Sequence, residues 1–166
     1  MSGWRDGARM ADFTRRPLSA GEHAIARATF GATAPWADVQ VLQVPAHAPW
    51  GAMVPLGRTI VFAGWRAALD FAATDIQEQA LFAHELAHVW QAARGVPLAL
   101  AKLAAIGRAA YRADWADGRP FDAYNIEQQA EIVRFAFLAR HGRPDPEGPS
   151  LRRLAALWPK FINPDA

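Results

Sequence analysis

The sequence predicts an α+β fold, with helices packed on a small N-terminal sheet. Three observations carry this. Apolar residues recur at helical spacing over 20–30 and again from residue 75 onward. Two short stretches between them, VQVLQV (39–44) and RTIVFAGW (58–65), have the alternation or the β-branched and aromatic content of strands. No internal repeat breaks the order helix, strands, helices.

The chain has 166 residues, 52% of them apolar, which suits one domain with its own core. Residues 1–16 show little periodicity and are expected to form a flexible arm, leaving 17–166 as the single domain. Ser19 with Glu22 forms a capping box for a first helix that Gly31 should end. In the first strand Val39, Val41 and Gln43 point one way, so a polar residue interrupts the buried face. Pro45, Pro49, Gly51, Pro55 and Gly57 mark a long loop before the second strand. Asp75 with Glu78 is a second capping box, opening a helix that Gly95 and Pro97 close. Residues 98–115 predict another helix with a soft spot at Gly107, and 117–122 a turn. Asn125 with Gln128 caps a helix ended by Gly142, and Ser150 caps a short last helix stopped at Pro159.

Composition removes several classes. There is no cysteine, so no disulfide and no thiolate metal site. No apolar run is long enough to cross a membrane, and the first residues lack the apolar core of a signal peptide. The expectation is a cytoplasmic protein, or one exported without a cleaved signal, with no membrane partner. Net charge is +2, and the basic residues are scattered singly apart from Arg15–Arg16 and Arg152–Arg153. No stripe or patch suits nucleic acid, so none is expected as a partner.

The chemistry concentrates at HELAH (84–88), inside FAHELAHVWQ. Residues four apart on a helix share a face, so His84 and His88 can converge on one metal ion. Glu85 lies about 100° round from His84, near enough to act as base on a water activated by the metal. The surrounding helix is apolar, with Leu81, Phe82, Leu86, Val89 and Trp90, and polar groups placed there need partners. With no cysteine, zinc would need a carboxylate or a further histidine as third ligand, with one position left open. Glu127 is the preferred candidate, and Glu131, on the same helical face, would support a histidine N–H. His141 is the alternative ligand, and His23 and His47 read as surface or loop residues. Trp90 reads as core; Gln91, seven after His84, reads first as a surface residue near the helix end, with a place on the zinc-facing stripe as the alternative.

HELAH followed by N-x-E-x-x-x-E (Asn125, Glu127, Glu131) resembles the zincin metallopeptidases of the glutamate-ligand group, the gluzincins. More closely, HVWQ (88–91), YNIEQQAEI (124–132), PLSAGE (17–22) and RTIVF (58–62) are similar to a set of small bacterial zincin-like proteins, some labelled as related to Vgr, the type VI secretion spike protein. The resemblance covers about 17–142. It implies a zinc-dependent metallopeptidase with His84, His88 and Glu127 on Zn2+, Glu131 behind a histidine, and Glu85 activating the water. It implies a peptide or protein substrate that pairs with an edge strand, for which 58–64 is the candidate, with a plain interior strand as the competing reading. The gap from His88 to Glu127 is longer than in the thermolysin type. No motif assigns the group that stabilises the oxyanion, and Tyr124, beside the ligand helix, is taken for it. The other reading is a catalytically silent zincin-like binding or structural module with a secretion-system partner, its site closed by the 45–57 loop or the arm. An intact Glu85 favours the peptidase.

Overall fold

The computed structural model describes residues 8–45, 52–54, 57–104 and 107–158. Its architecture is α+β, a small sheet covered by helices. The strands are β1 (Arg15–Pro17), β2 (Gln40–Gln43), β3 (Ala52–Met53) and β4 (Thr59–Phe62). The helices are α1 (Ala20–Phe30), α2 (Ile76–Ala93), α3 (Leu98–Ala104), α4 (Ile126–Arg140) and α5 (Leu151–Leu157). Among the described residues, no helix is long and apolar enough to cross a membrane.

The sheet order is β1-β2-β4-β3. β2 and β4 run parallel, with Val41 opposite Ile60 and Gln43 opposite Phe62, while β1 and β3 add antiparallel on the outside. So 58–64 is not an edge strand: β4 is paired on both sides, and the expected route of substrate addition there is closed. Inward positions alternate as the pleat requires, with Val39, Val41, Ile60 and Phe62 buried.

Gln43 also faces inward, fully buried, and its amide is satisfied. Nε2 donates to the carbonyls of Val44, Phe62 and Trp65, and Oε1 accepts from the Ala67 amide at 2.6 Å. A buried amide with every partner made carries little penalty, and this one ties the sheet to the segment that follows it.

The expected arm is largely part of the fold. Residues 1–7 lie outside the described residues, but 8–17 are bonded into the sheet and the 66–69 segment. The Met10 amide donates to Ala67 O and the Phe13 amide to Gln43 O. Arg9 grips Glu78 with both nitrogens at 2.7 and 2.8 Å, and Arg16 grips Glu22 in the same way. Glu22 is wholly buried and also accepts from the amides of Ser19 and Phe71.

Helix ends follow local chemistry. Both halves of the capping box form at Ser19–Glu22 and at Asn125–Gln128. At α2, Asp75 caps the amides of Gln77 and Glu78, but the Glu78 carboxylate goes to Arg9, so only half of the expected box exists. The helix does not run to residue 115: α3 is described over Leu98–Ala104, Gly107 takes φ +88° and a short 3-10 turn over Arg108–Tyr111 follows. That break turns the chain back over α2 and α4. Residues 105–106 and Pro159 lie outside the described residues.

The core joins sheet, α1, α2 and α4. Phe62, Phe71 and Phe82 stack in series, with Phe71 and Phe82 nearly parallel at 4.6 Å. Trp90 is core as expected, packed on Phe30, Phe121 and Trp158. Helix α2 packs most extensively on α4. Small buried residues, Ala80, Ala83, Ala87 and Ala130, let the two backbones approach.

Candidate metal centre

Two helix stripes face each other at this interface. Helix α2 presents His84, His88 and Gln91, and α4 presents Glu127 and Glu131. Two imidazoles stand four residues apart on α2 and two carboxylates four apart on α4, so the facing groups meet in register. His84, His88 and Glu127 are buried and each offers an atom within 4.8 Å of the others. Glu127 Oε2 lies 3.4 Å from His84 Nε2 and 3.2 Å from His88 Nε2.

The second nitrogen of His88 is hydrogen-bonded from behind, and that of His84 faces a carboxylate without a hydrogen bond. His88 Nδ1 lies 2.8 Å from Gln91 Oε1. The Gln91 Nε2 donates to Ile126 O and Gln129 Oε1, both at 3.0 Å. A carbonyl can only accept, so the Gln91 oxygen faces His88 and Nδ1 must carry the proton. That leaves the Nε2 lone pair aimed at Glu127, as a metal ligand requires. Gln91 is thus a buried second support, not the surface residue its position near the helix end predicts.

His84 Nδ1 lies 2.9 Å from Glu131 Oε1, a short but angled approach, while Glu131 Oε2 accepts from Arg134 Nε at 2.9 Å. Glu131 thus stands behind His84 as expected, itself fixed by Arg134.

Electrostatics match this arrangement. Burial works against charge on His84, but Glu127, Glu131 and Glu85 outweigh it and lift its pKa to about 9. Burial also raises Glu127, yet the two histidines and Lys102 hold it well below the usual carboxylate range. Glu131 is lowered too, against its burial, by His84 and Arg134.

The group fits a metal ion by its orphaned atoms. His84 Nδ1, His88 Nε2, Glu127 Oε2 and the neighbouring Glu85 Oε2 are buried with no hydrogen-bond partner among the described residues. Buried polar atoms are rarely left so. Two imidazoles and one carboxylate converging with unused lone pairs could hold a metal ion.

Other candidates fall elsewhere. Tyr124 does not join the site: its hydroxyl donates to Asp117 Oδ1 at 2.8 Å, and its ring lies between Trp115 and the Arg119 guanidinium. The tyrosine that meets the centre is Tyr111, whose ring stacks on His84 with centroids 6.1 Å apart. Burial and the charges of Glu127, Glu85 and Glu131 push its phenol up to about 12. No local pattern marks Tyr111, because the turn after Gly107 decides where it goes. His141 ends α4, exposed, with Nδ1 on Phe137 O, and takes no part. His23 sits half-buried on α1, and His47 lies outside the described residues. Beside the centre, Tyr111, Trp115, Glu131, Arg134 and Phe135 line a groove of about 560 Å³.

Fold and site together define an α+β domain with a buried His-His-Glu centre between two helices. No family profile matches the chain. It is 34% identical over 137 residues to the type VI secretion system spike protein VgrG2b of Pseudomonas aeruginosa; the match takes 76% of this chain and 13% of that protein. It is also similar to the solved effector domain of Pseudomonas aeruginosa VgrG2b, at 30% identity and TM-score 0.66, over 90% of this chain and 87% of that one. The chain therefore belongs to the family of the VgrG2b effector domain. It spans about an eighth of the curated spike protein's length.

Proposed function

We propose that the chain is an effector module of a type VI secretion system, and that its centre holds zinc and hydrolyses peptide bonds. The secretion role is supported by the kinship to the VgrG2b effector domain. Hydrolysis is supported by one observation above the others: ligand atoms of His84, His88 and Glu127 meet at one buried place, with His88 Nε2 and Glu127 Oε2 left unpartnered there. Ligands from two helices, with Glu131 behind His84, are also the pattern of the gluzincins that the sequence resembles.

Zinc bound here would lower the pKa of a water and polarise a substrate carbonyl. Glu85 Oε2, free of hydrogen bonds, can take a proton and return it to a leaving nitrogen. Tyr111, rather than Tyr124, is placed to donate to an oxygen gaining charge, and its raised pKa keeps that proton on the phenol.

A second reading has its own support. The ligands are nearly inaccessible, with His84 at 6%, His88 at 0% and Glu127 at 2% exposure, and α3 and Tyr111 lie across them. A closed zinc centre would serve a binding module of the secretion machinery without turnover.

One experiment separates these. Metal content is measured for wild type and Glu85→Gln, and both are screened against a broad peptide library. The peptidase reading expects about one zinc per chain in both. It expects cleavage by wild type, reduced at least about 100-fold in the variant. Zinc without cleavage in wild type selects the binding module, and no metal after zinc loading defeats both readings.

A further inference from the structure

The two oxygens of Glu127 have different surroundings. Oε2 faces both histidines, while Oε1 lies 3.5 Å from Lys102 Nζ on α3. Lys102 is one of two lysines in a chain with sixteen arginines, and the only one among the described residues. At two buried carboxylates arginine takes both oxygens, Arg9 on Glu78 and Arg16 on Glu22, while Arg134 holds Glu131 by Oε2 alone and leaves Oε1 to His84.

The chemistry of the two cations differs in the way that matters here. A guanidinium is a planar fork that matches both carboxylate oxygens. An ammonium is a point charge that can satisfy one oxygen and leave the other alone. Glu127 must keep Oε2 for the histidine side. A lysine at 102, close to Oε1 alone, leaves Oε2 to that side.

We infer that Lys102 is a positioning residue of the metal centre, holding Oε1 of Glu127 so that Oε2 alone is presented to the ion. It rests on the metal-binding reading above but not on catalysis. The side chain is about a third exposed, so its replacement leaves no cavity in the core.

The test compares wild type, Lys102→Met and Lys102→Arg. Zinc affinity is measured by competition with a chromogenic chelator, beside thermal unfolding of the metal-free proteins. Lys102→Met leaves Oε1 unheld and is expected to weaken zinc binding about 10- to 100-fold, the range for groups that orient ligands, with unfolding of the metal-free protein unchanged. Lys102→Arg keeps a cation at Oε1 and is expected to bind zinc nearly as wild type does. Methionine equal to wild type in zinc affinity overturns the inference, and so does a metal-free methionine variant whose unfolding temperature falls along with its affinity, which would mark Lys102 as an anchor for α3. Should Lys102→Met prove unfolded without metal, Lys102→Gln takes its place in the same comparison, and unchanged affinity there refutes the role. Wild type that takes up no zinc defeats the metal-binding reading itself, a result distinct from any ordering of the variants.

Discussion

Replacing Gln91 with leucine tests whether the amide behind His88 both sets the metal ligand and locks α2 to α4. The side chain is 1% exposed and makes three hydrogen bonds, to His88, Ile126 and Gln129. Leucine has similar bulk, so the loss is polar rather than steric. Each bond contributes about 1 kcal/mol net. The buried His88 N–H would also be left unpaired, while Gln129 can turn toward water. The expected loss is about 3 kcal/mol, or a Tm lowered by roughly 6–12 °C for a domain this size. Metal affinity should fall about 10- to 100-fold, because His88 Nδ1 no longer has an acceptor to hold its tautomer. Gln91→Glu separates the two effects. It keeps an acceptor for His88 but loses both donors, so stability should fall while zinc binding persists. Thermal unfolding of the metal-free protein and chelator competition give the two readouts. A leucine variant with unchanged Tm and unchanged zinc affinity would refute the assignment.

Three further outcomes follow from charge. The pKa of His84 is raised from 6.5 to about 9 in the folded metal-free protein, so this group's contribution is fully present below pH 6.5 and is lost as pH climbs through 9. Glu127 and Glu131 are shifted the other way, so their contribution is present above the usual carboxylate range and lost on acidification. Urea unfolding of the metal-free protein should therefore show greatest stability between about pH 4.5 and 6.5, declining by up to about 1.4 kcal/mol per pH unit from 6.5 to 9. Stability rising over that interval would contradict the cluster. Zinc must displace the His84 proton, so its affinity should increase with pH up to about 9, by at most tenfold per unit, with proton release visible by calorimetry in buffers of different ionisation heat. Glu22→Gln should cost about 3 kcal/mol, because a buried carboxylate holding Arg16 and two backbone amides loses its charge. A denaturation midpoint equal to wild type would show that this cluster does not fasten the N-terminal segment.

The sequence by itself determined the α+β class, the helix that carries the histidines and the partners it would seek. Ser19, Asp75, Asn125 and Ser150 all cap the helices their local patterns predict. His84 with His88, and Glu127 with Glu131, share faces because a helical repeat reaches only four residues along the chain. Interactions of that range are written in neighbouring letters.

What needed the tertiary structure was every relation between distant segments. Gln91 looked peripheral because its partners lie 35 and 38 residues away on α4. The sequence points to Tyr124, and only the path of the chain after the positive-φ Gly107 shows that Tyr111 is the one that returns over His84. β4 became an interior strand only through β3, and residues 8–17 became part of the fold through Arg9 and Arg16, whose carboxylates sit on α2 and α1. Lys102 carries no signal of its own; its meaning comes from the one oxygen of Glu127 that it touches. Spacing decides which groups share a face, and only packing decides which face they meet.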